Sequence, residues 1–65
     1  MRALKILSCN DQRKWYADFV GGLVPFLSEE QNEWRSLERC GFVNFVSKSD
    51  AELVVLDKPV KMYEV

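Results

Sequence analysis

Two runs late in the chain limit its folds more than anything else in it. Gly41-Phe-Val-Asn-Phe-Val46 is rich in aromatic and β-branched residues, and it begins at a glycine suited to a turn or bulge. Glu52-Leu-Val-Val-Leu56 reads as a second strand, whose continuous apolar run implies burial on both sides or a central place in a sheet. Between them, Ser47-Lys48-Ser49-Asp50-Ala51 reads as one tight helical turn with polar caps. The fold must therefore be built around β-structure, with little chain left to complete it. At 65 residues there is room for a single domain, 1–65, whose core contributes on the order of 3–5 kcal/mol net.

The first two thirds of the chain supply the remaining elements. Ala3 to Ser8 reads as a strand with Leu4 and Ile6 on one side and Lys5 on the other, ended by Asn10-Asp11. Asp11 to Val20 allows two readings: a short helix capped by Asp11 and stopped at Gly21, or a long folded-back loop whose aromatics tuck against the sheet. Leu23-Val-Pro-Phe-Leu27 is β-like, and Pro25, lacking an N–H, makes it an edge or a bulge. Glu29 to Arg39 is again ambiguous. Ser28-x-x-Gln31 fits a capping box and Gly41 could end a helix, but the apolar face would be only Trp34, Leu37 and Cys40. The alternative is a strand from Glu33 to Arg39 with mixed faces. The tail, 57–65, alternates after Pro59 and reads as an edge strand or a flexible end, and pairing of Val60, Met62 and Tyr63 with a second copy would make a homodimer.

Composition excludes several function classes. Nine Lys and Arg against ten Asp and Glu leave a net charge of −1, so there is no default attraction to nucleic acid or to an anionic membrane. No run is long and apolar enough to span a bilayer, and Met1-Arg-Ala-Leu-Lys5 has no signal-peptide pattern, so the chain reads as a cytoplasmic protein. With two Cys and no His, no structural zinc site is expected, and Cys9 and Cys40 read as reduced, partly buried thiols. The missing His also removes the usual general base, no Cys-x-x-Cys or phosphate-cradling glycine pattern occurs, and neither catalysis nor a cofactor is expected.

A strand, a long aromatic loop, a hairpin, a Gly-initiated strand, one helical turn and a last strand follow the order of an SH3-like small barrel. The motifs Trp15-Tyr16-x-Asp18-x-x-Gly21 and Gly41-Phe42-x-Asn44-Phe45-Val46-x-Lys48-x-Asp50-Ala51-Glu52 resemble those of small uncharacterised SH3-like-barrel proteins of Gram-positive bacteria, their phages and prophages. The resemblance covers roughly residues 3 to 56 and implies a mostly β barrel of about five strands with one 3-10 turn at Ser47–Ala51, in a phage-like setting. The competing fold is a compact α+β domain with helices at 11–20 and 29–39.

Function then rests on surfaces. In a barrel of that kind the long loop, the second hairpin and the 3-10 region meet on one face, so Trp15, Tyr16, Trp34 and Phe45 are the expected platform for a protein partner. The plainer reading is that Trp15 and Trp34 cap a small core. Phe42, Val43, Phe45 and Val46 cannot all face one way, so one pair should point outward. Arg13, Lys14, Arg35, Arg39 and Lys48 are the candidate basic patch for nucleic acid, with Glu29, Glu30, Glu33 and Glu38 scattered among them.

Overall fold

The structure, a computed structural model, describes every residue from Met1 to Val65. Strand β1 (Arg2–Ile6) buries Leu4 and Ile6 and exposes Lys5, the two-residue alternation that an antiparallel strand imposes. It is followed by β2 (Leu23–Pro25), β3 (Ser28–Glu29), β4 (Glu33–Leu37), β5 (Val43–Ser47) and β6 (Ala51–Val55). These make two three-stranded antiparallel sheets, in the orders β2-β1-β6 and β3-β4-β5. Only Phe26 and Leu27 separate β2 from β3, so one extended stretch serves both sheets.

The fold is mostly β, and the helices considered at 11–20 and 29–39 do not form. In the second segment period-two packing prevails over the capping signal. Trp34 and Ser36 share the face that lies opposite Val46 and Asn44, while Glu33, Arg35 and Leu37 turn the other way. Gly41, at φ +102, closes the turn into β5, and the Glu38 N–H donates to the Phe42 carbonyl at 2.7 Å across it. In the first segment the chain runs as a long loop with a 3-10 turn at Ala17–Phe19. The 3-10 turn expected at Ser47–Ala51 is instead a tight turn closed by the Asp50 N–H to the Ser47 carbonyl at 3.0 Å.

Three further expectations are corrected. β6 is an edge strand and not a central one, for its apolar run pairs with β1 alone and Val55 is 77% exposed. The tail 57–65 forms no strand. Tyr63, at φ +63, turns it back so that its N–H reaches the Leu23 carbonyl at 2.8 Å and its hydroxyl the Leu37 carbonyl at 2.7 Å. Gly22 permits this return, because a Cβ there would run into the Glu64 carbonyl oxygen. Cys40 is exposed in the turn after β4, whereas Cys9 is half-buried with its thiol on the Asp11 carbonyl at 3.2 Å.

Leu4, Ile6, Tyr16, Val24, Val46 and Ala51 form the core, which draws on both sheets and on the long loop. Trp15, Phe19, Phe26, Trp34, Leu53 and Tyr63 pack around it as a partly buried shell. A shell of that size is how a short chain encloses so few fully buried side chains. No helix is long and apolar enough to cross a membrane.

Candidate functional site

Tyr16 decides where the long loop sits. Its ring is 1% exposed, and a buried phenol needs a partner for its hydroxyl. The hydroxyl donates to the Asp50 carboxylate at 2.5 Å and accepts from the Ser47 N–H at 3.4 Å. Asp50, itself only 7% exposed, takes its second partner from the Lys14 ammonium at 3.4 Å. Burial, and after it the hydrogen bond to Asp50, holds the Tyr16 phenol above its ordinary pKa. Lys14 is also raised, chiefly by the neighbouring Tyr16 phenol and then by Asp50. At the far end of the loop Asp11 is lowered, mainly by the Arg13 guanidinium and then by the Arg13 N–H.

This anchor lays Trp15 along the outer edge of β5. The indole N–H donates to the Phe45 carbonyl at 2.9 Å, and the ring meets Tyr16 edge-on at 5.7 Å between centroids. A cavity of about 560 Å³ opens between the loop and the second sheet. Arg13, Lys14, Trp15 and Tyr16 form one wall, and Glu33, Glu38, Asn44, Phe45 and Ser47 form the other. Phe45 and Val43 point outward from β5 while Val46 is fully buried, and Phe42 at the turn is 71% exposed. Phe45 is the exposed apolar side chain of the groove, and Val43 and Phe42 are exposed beyond it toward the start of β5. Cations lie on the loop side and carboxylates on the sheet side.

The four aromatics expected to share a platform are divided. Trp15 and Phe45 come together at the groove. Tyr16 is its buried floor and offers little surface. Trp34 turns to the inner face of β4, where it meets Phe26 edge-on at 5.9 Å, with the Lys48 ammonium 4.7 Å from its ring centre. The basic residues are dispersed and mostly neutralised. Arg13 pairs with Asp11 at 3.1 Å, Lys14 with Asp50 at 3.4 Å and Lys48 with Glu29 at 2.6 Å. Arg35 lies opposite Phe45 on the outer face of the second sheet, and Arg39 is exposed in the turn beyond β4.

Sequence reasoning missed Asn44 and Asp50. Asn44 Oδ1 accepts the Phe45 N–H at 2.8 Å and its amide donates to Glu38 at 2.8 Å. An Asn inside an apolar β run is a poor strand former and was a readable signal of a special role. Nothing local marks Asp50, whose partner Tyr16 lies 34 residues away. No three His, Cys, Asp or Glu side chains gather where they could hold a metal ion.

No family model matches this chain, and comparisons with curated proteins and with solved structures return no match either.

Proposed function

We propose that this protein is a non-enzymatic interaction module with SH3-like barrel architecture, which binds a protein partner through the groove between Trp15 and Phe45. The observation that carries the reading is Phe45, left exposed in the groove beside Trp15, with Val43 and Phe42 exposed further along β5 and its turn. Exposed aromatics grouped at one site are the usual anchors of protein interfaces, while scattered single ones need no explanation. The barrel is supported by connectivity: a long first loop, one extended stretch shared between two sheets, and a last strand that returns to the first. The sequence likeness to small proteins of Gram-positive bacteria and their phages supports a host or phage protein as the partner. Such a partner places apolar side chains on Trp15 and Phe45, between the Arg13 and Glu33 sides of the groove.

Site-specific photo-crosslinking in cells tests this. A crosslinker at Phe42 or Phe45 should trap one defined protein, and the same group at Lys58 should not. Phe45→Ser should abolish complex formation while the far-UV spectrum stays unchanged. Equal trapping at all three positions, or a complex indifferent to Phe45→Ser, would sink the proposal. A gel-shift complex with nucleic acid that weakens steeply with salt would instead favour contacts by Arg13, Lys14, Arg35, Arg39 and Lys48.

A further inference from the structure

Every open strand edge carries a row of N–H and C=O groups able to template pairing, so each edge here needs an account. Of the edges left by the two sheets, β2 and β3 are blunted, and β5 is covered over Phe45 to Ser47. On β2, Pro25 has no N–H, its carbonyl accepts the Ser36 hydroxyl at 2.5 Å, and the Leu23 carbonyl accepts the Tyr63 N–H at 2.8 Å. β3 is only two residues long. On β5, Asn44 and Trp15 take the N–H and C=O of Phe45, and Tyr16 takes the Ser47 N–H.

β6 is different. Its ladder to β1 is bracketed by Leu7 N–H to the Asp50 carbonyl at 2.7 Å and Leu56 N–H to the Met1 carbonyl at 2.8 Å. Bonding residues alternate in an antiparallel pair, so Asp50, Glu52, Val54 and Leu56 face β1. Ala51, Leu53 and Val55 therefore turn their backbone groups to the open side. The Ala51 carbonyl receives the Trp34 indole at 3.5 Å, but no other element pairs with β6, and Leu53 and Val55 bond to nothing. The strand contains no proline, lysine or bulge to blunt it.

We propose that β6 pairs antiparallel with β6 of a second copy, about a two-fold axis at Leu53, joining two sheets into one of six strands. A second copy suits this edge because the strand complements itself. Leu53 meets its own counterpart, Ala51 meets Val55, and Glu52 meets Val54, so no like charges oppose each other. Each Glu52 keeps Lys5 as its cross-strand neighbour within its own sheet. Leu53 exchanges both backbone bonds with its counterpart, and Val55 does so with Ala51, whose carbonyl has a second lone pair available. The contact also covers Val55, at 77% exposure one of the barest large apolar residues in the molecule. The groove beside Trp15 is left free.

Amide exchange and light scattering on the intact chain, from micromolar to millimolar concentration, test the pairing. The mass should rise toward two copies, and exchange at Leu53 and Val55 should slow by about tenfold or more as it does, while Glu52 and Val54 are protected throughout. Val55→Pro removes only a donor that faces away from β1, so it should hold the chain monomeric; if that variant does not fold, the exchange data on the unaltered chain decide alone. A monomer at every concentration overturns the proposal. So does a dimer whose Leu53 and Val55 amides stay exposed, or one that survives Val55→Pro. Protection of these amides that appears only on adding a foreign strand also overturns it, in favour of a different protein on the same edge.

Discussion

At the outer edge of β5 the long loop lies close, and Trp15, Tyr16 and Asn44 between them occupy the backbone groups of Phe45 and Ser47. At the outer edge of β6 only the Trp34 indole reaches in, to the Ala51 carbonyl, and the backbone groups of Leu53 and Val55 have no partner. Both strands are five residues long and similarly apolar. The difference lies in what the rest of the chain brings to them. Closing β5 also builds the groove, because the indole that caps the Phe45 carbonyl forms part of its wall. Edge protection and the candidate binding surface are one construction, held in place by the Tyr16–Asp50 hydrogen bond.

That comparison can be broken most severely at Tyr16. Tyr16→Phe removes the hydroxyl from Asp50 and from the Ser47 N–H, and leaves a buried carboxylate with Lys14 as its remaining partner. The expected loss is about 1–3 kcal/mol, read as a lower urea midpoint at unchanged slope. In so small a domain that is a large share of the total stability. A midpoint within error of the parent's would show that Asp50 does not depend on the hydroxyl.

Alkali probes the same bond without a substitution. Tyr16 in the fold is held above its ordinary value, chiefly by burial, whereas the unfolded phenol titrates near about 10. The native state therefore holds this proton more tightly. The stability it contributes is fully present below about pH 10 and is lost as pH rises through the raised native value. Tyr63, raised by its burial, and Lys14 act in the same direction. The unfolding midpoint should stay level from neutrality to about pH 9 and then fall, with a shallower fall in Tyr16→Phe. A midpoint that climbs above pH 10 would contradict this assignment.

A smaller effect is expected at Trp15. Trp15→Phe keeps an aromatic ring against Tyr16 and Phe19 but withdraws the indole N–H from the Phe45 carbonyl. The cost should be about 0.5–1.5 kcal/mol in thermal or urea unfolding. The freed carbonyl should also make β5 resemble β6, so the variant should associate at lower concentration than the parent. Unchanged association would mean that the groove wall, and not the hydrogen bond, keeps β5 apart from other strands.

The least change should come from Val55→Lys, which adds a charge to the bare edge without touching the ladder to β1. Its effect on monomer stability should stay within about 0.5 kcal/mol, as at other exposed positions. A large loss would mean that Val55 packs against more of the chain than its exposure indicates.

Local chemistry alone determined several parts of this protein. The burial of Leu4 and Ile6 around an exposed Lys5 follows from a period of two, and Pro25 could only sit where no N–H was needed. Phe42 to Val46 had to put some large side chains outward, and Phe42, Val43 and Phe45 are exposed while Val46 is buried. Tertiary structure decided the rest. Glu29 to Arg39 carried both a capping box and a strand pattern, and pairing with β3 and β5 on both sides selected the strand. The apolar run of β6 resembled a central strand because hydrophobicity records what a side chain tolerates, not how many neighbours its backbone has. Trp15 and Tyr16 are adjacent and equally aromatic, yet only Tyr16 is fully buried. Its hydroxyl finds Asp50, a partner 34 residues along the chain that no local pattern reveals. Once Tyr16 is fixed, Trp15 must face β5, and the groove follows from that geometry.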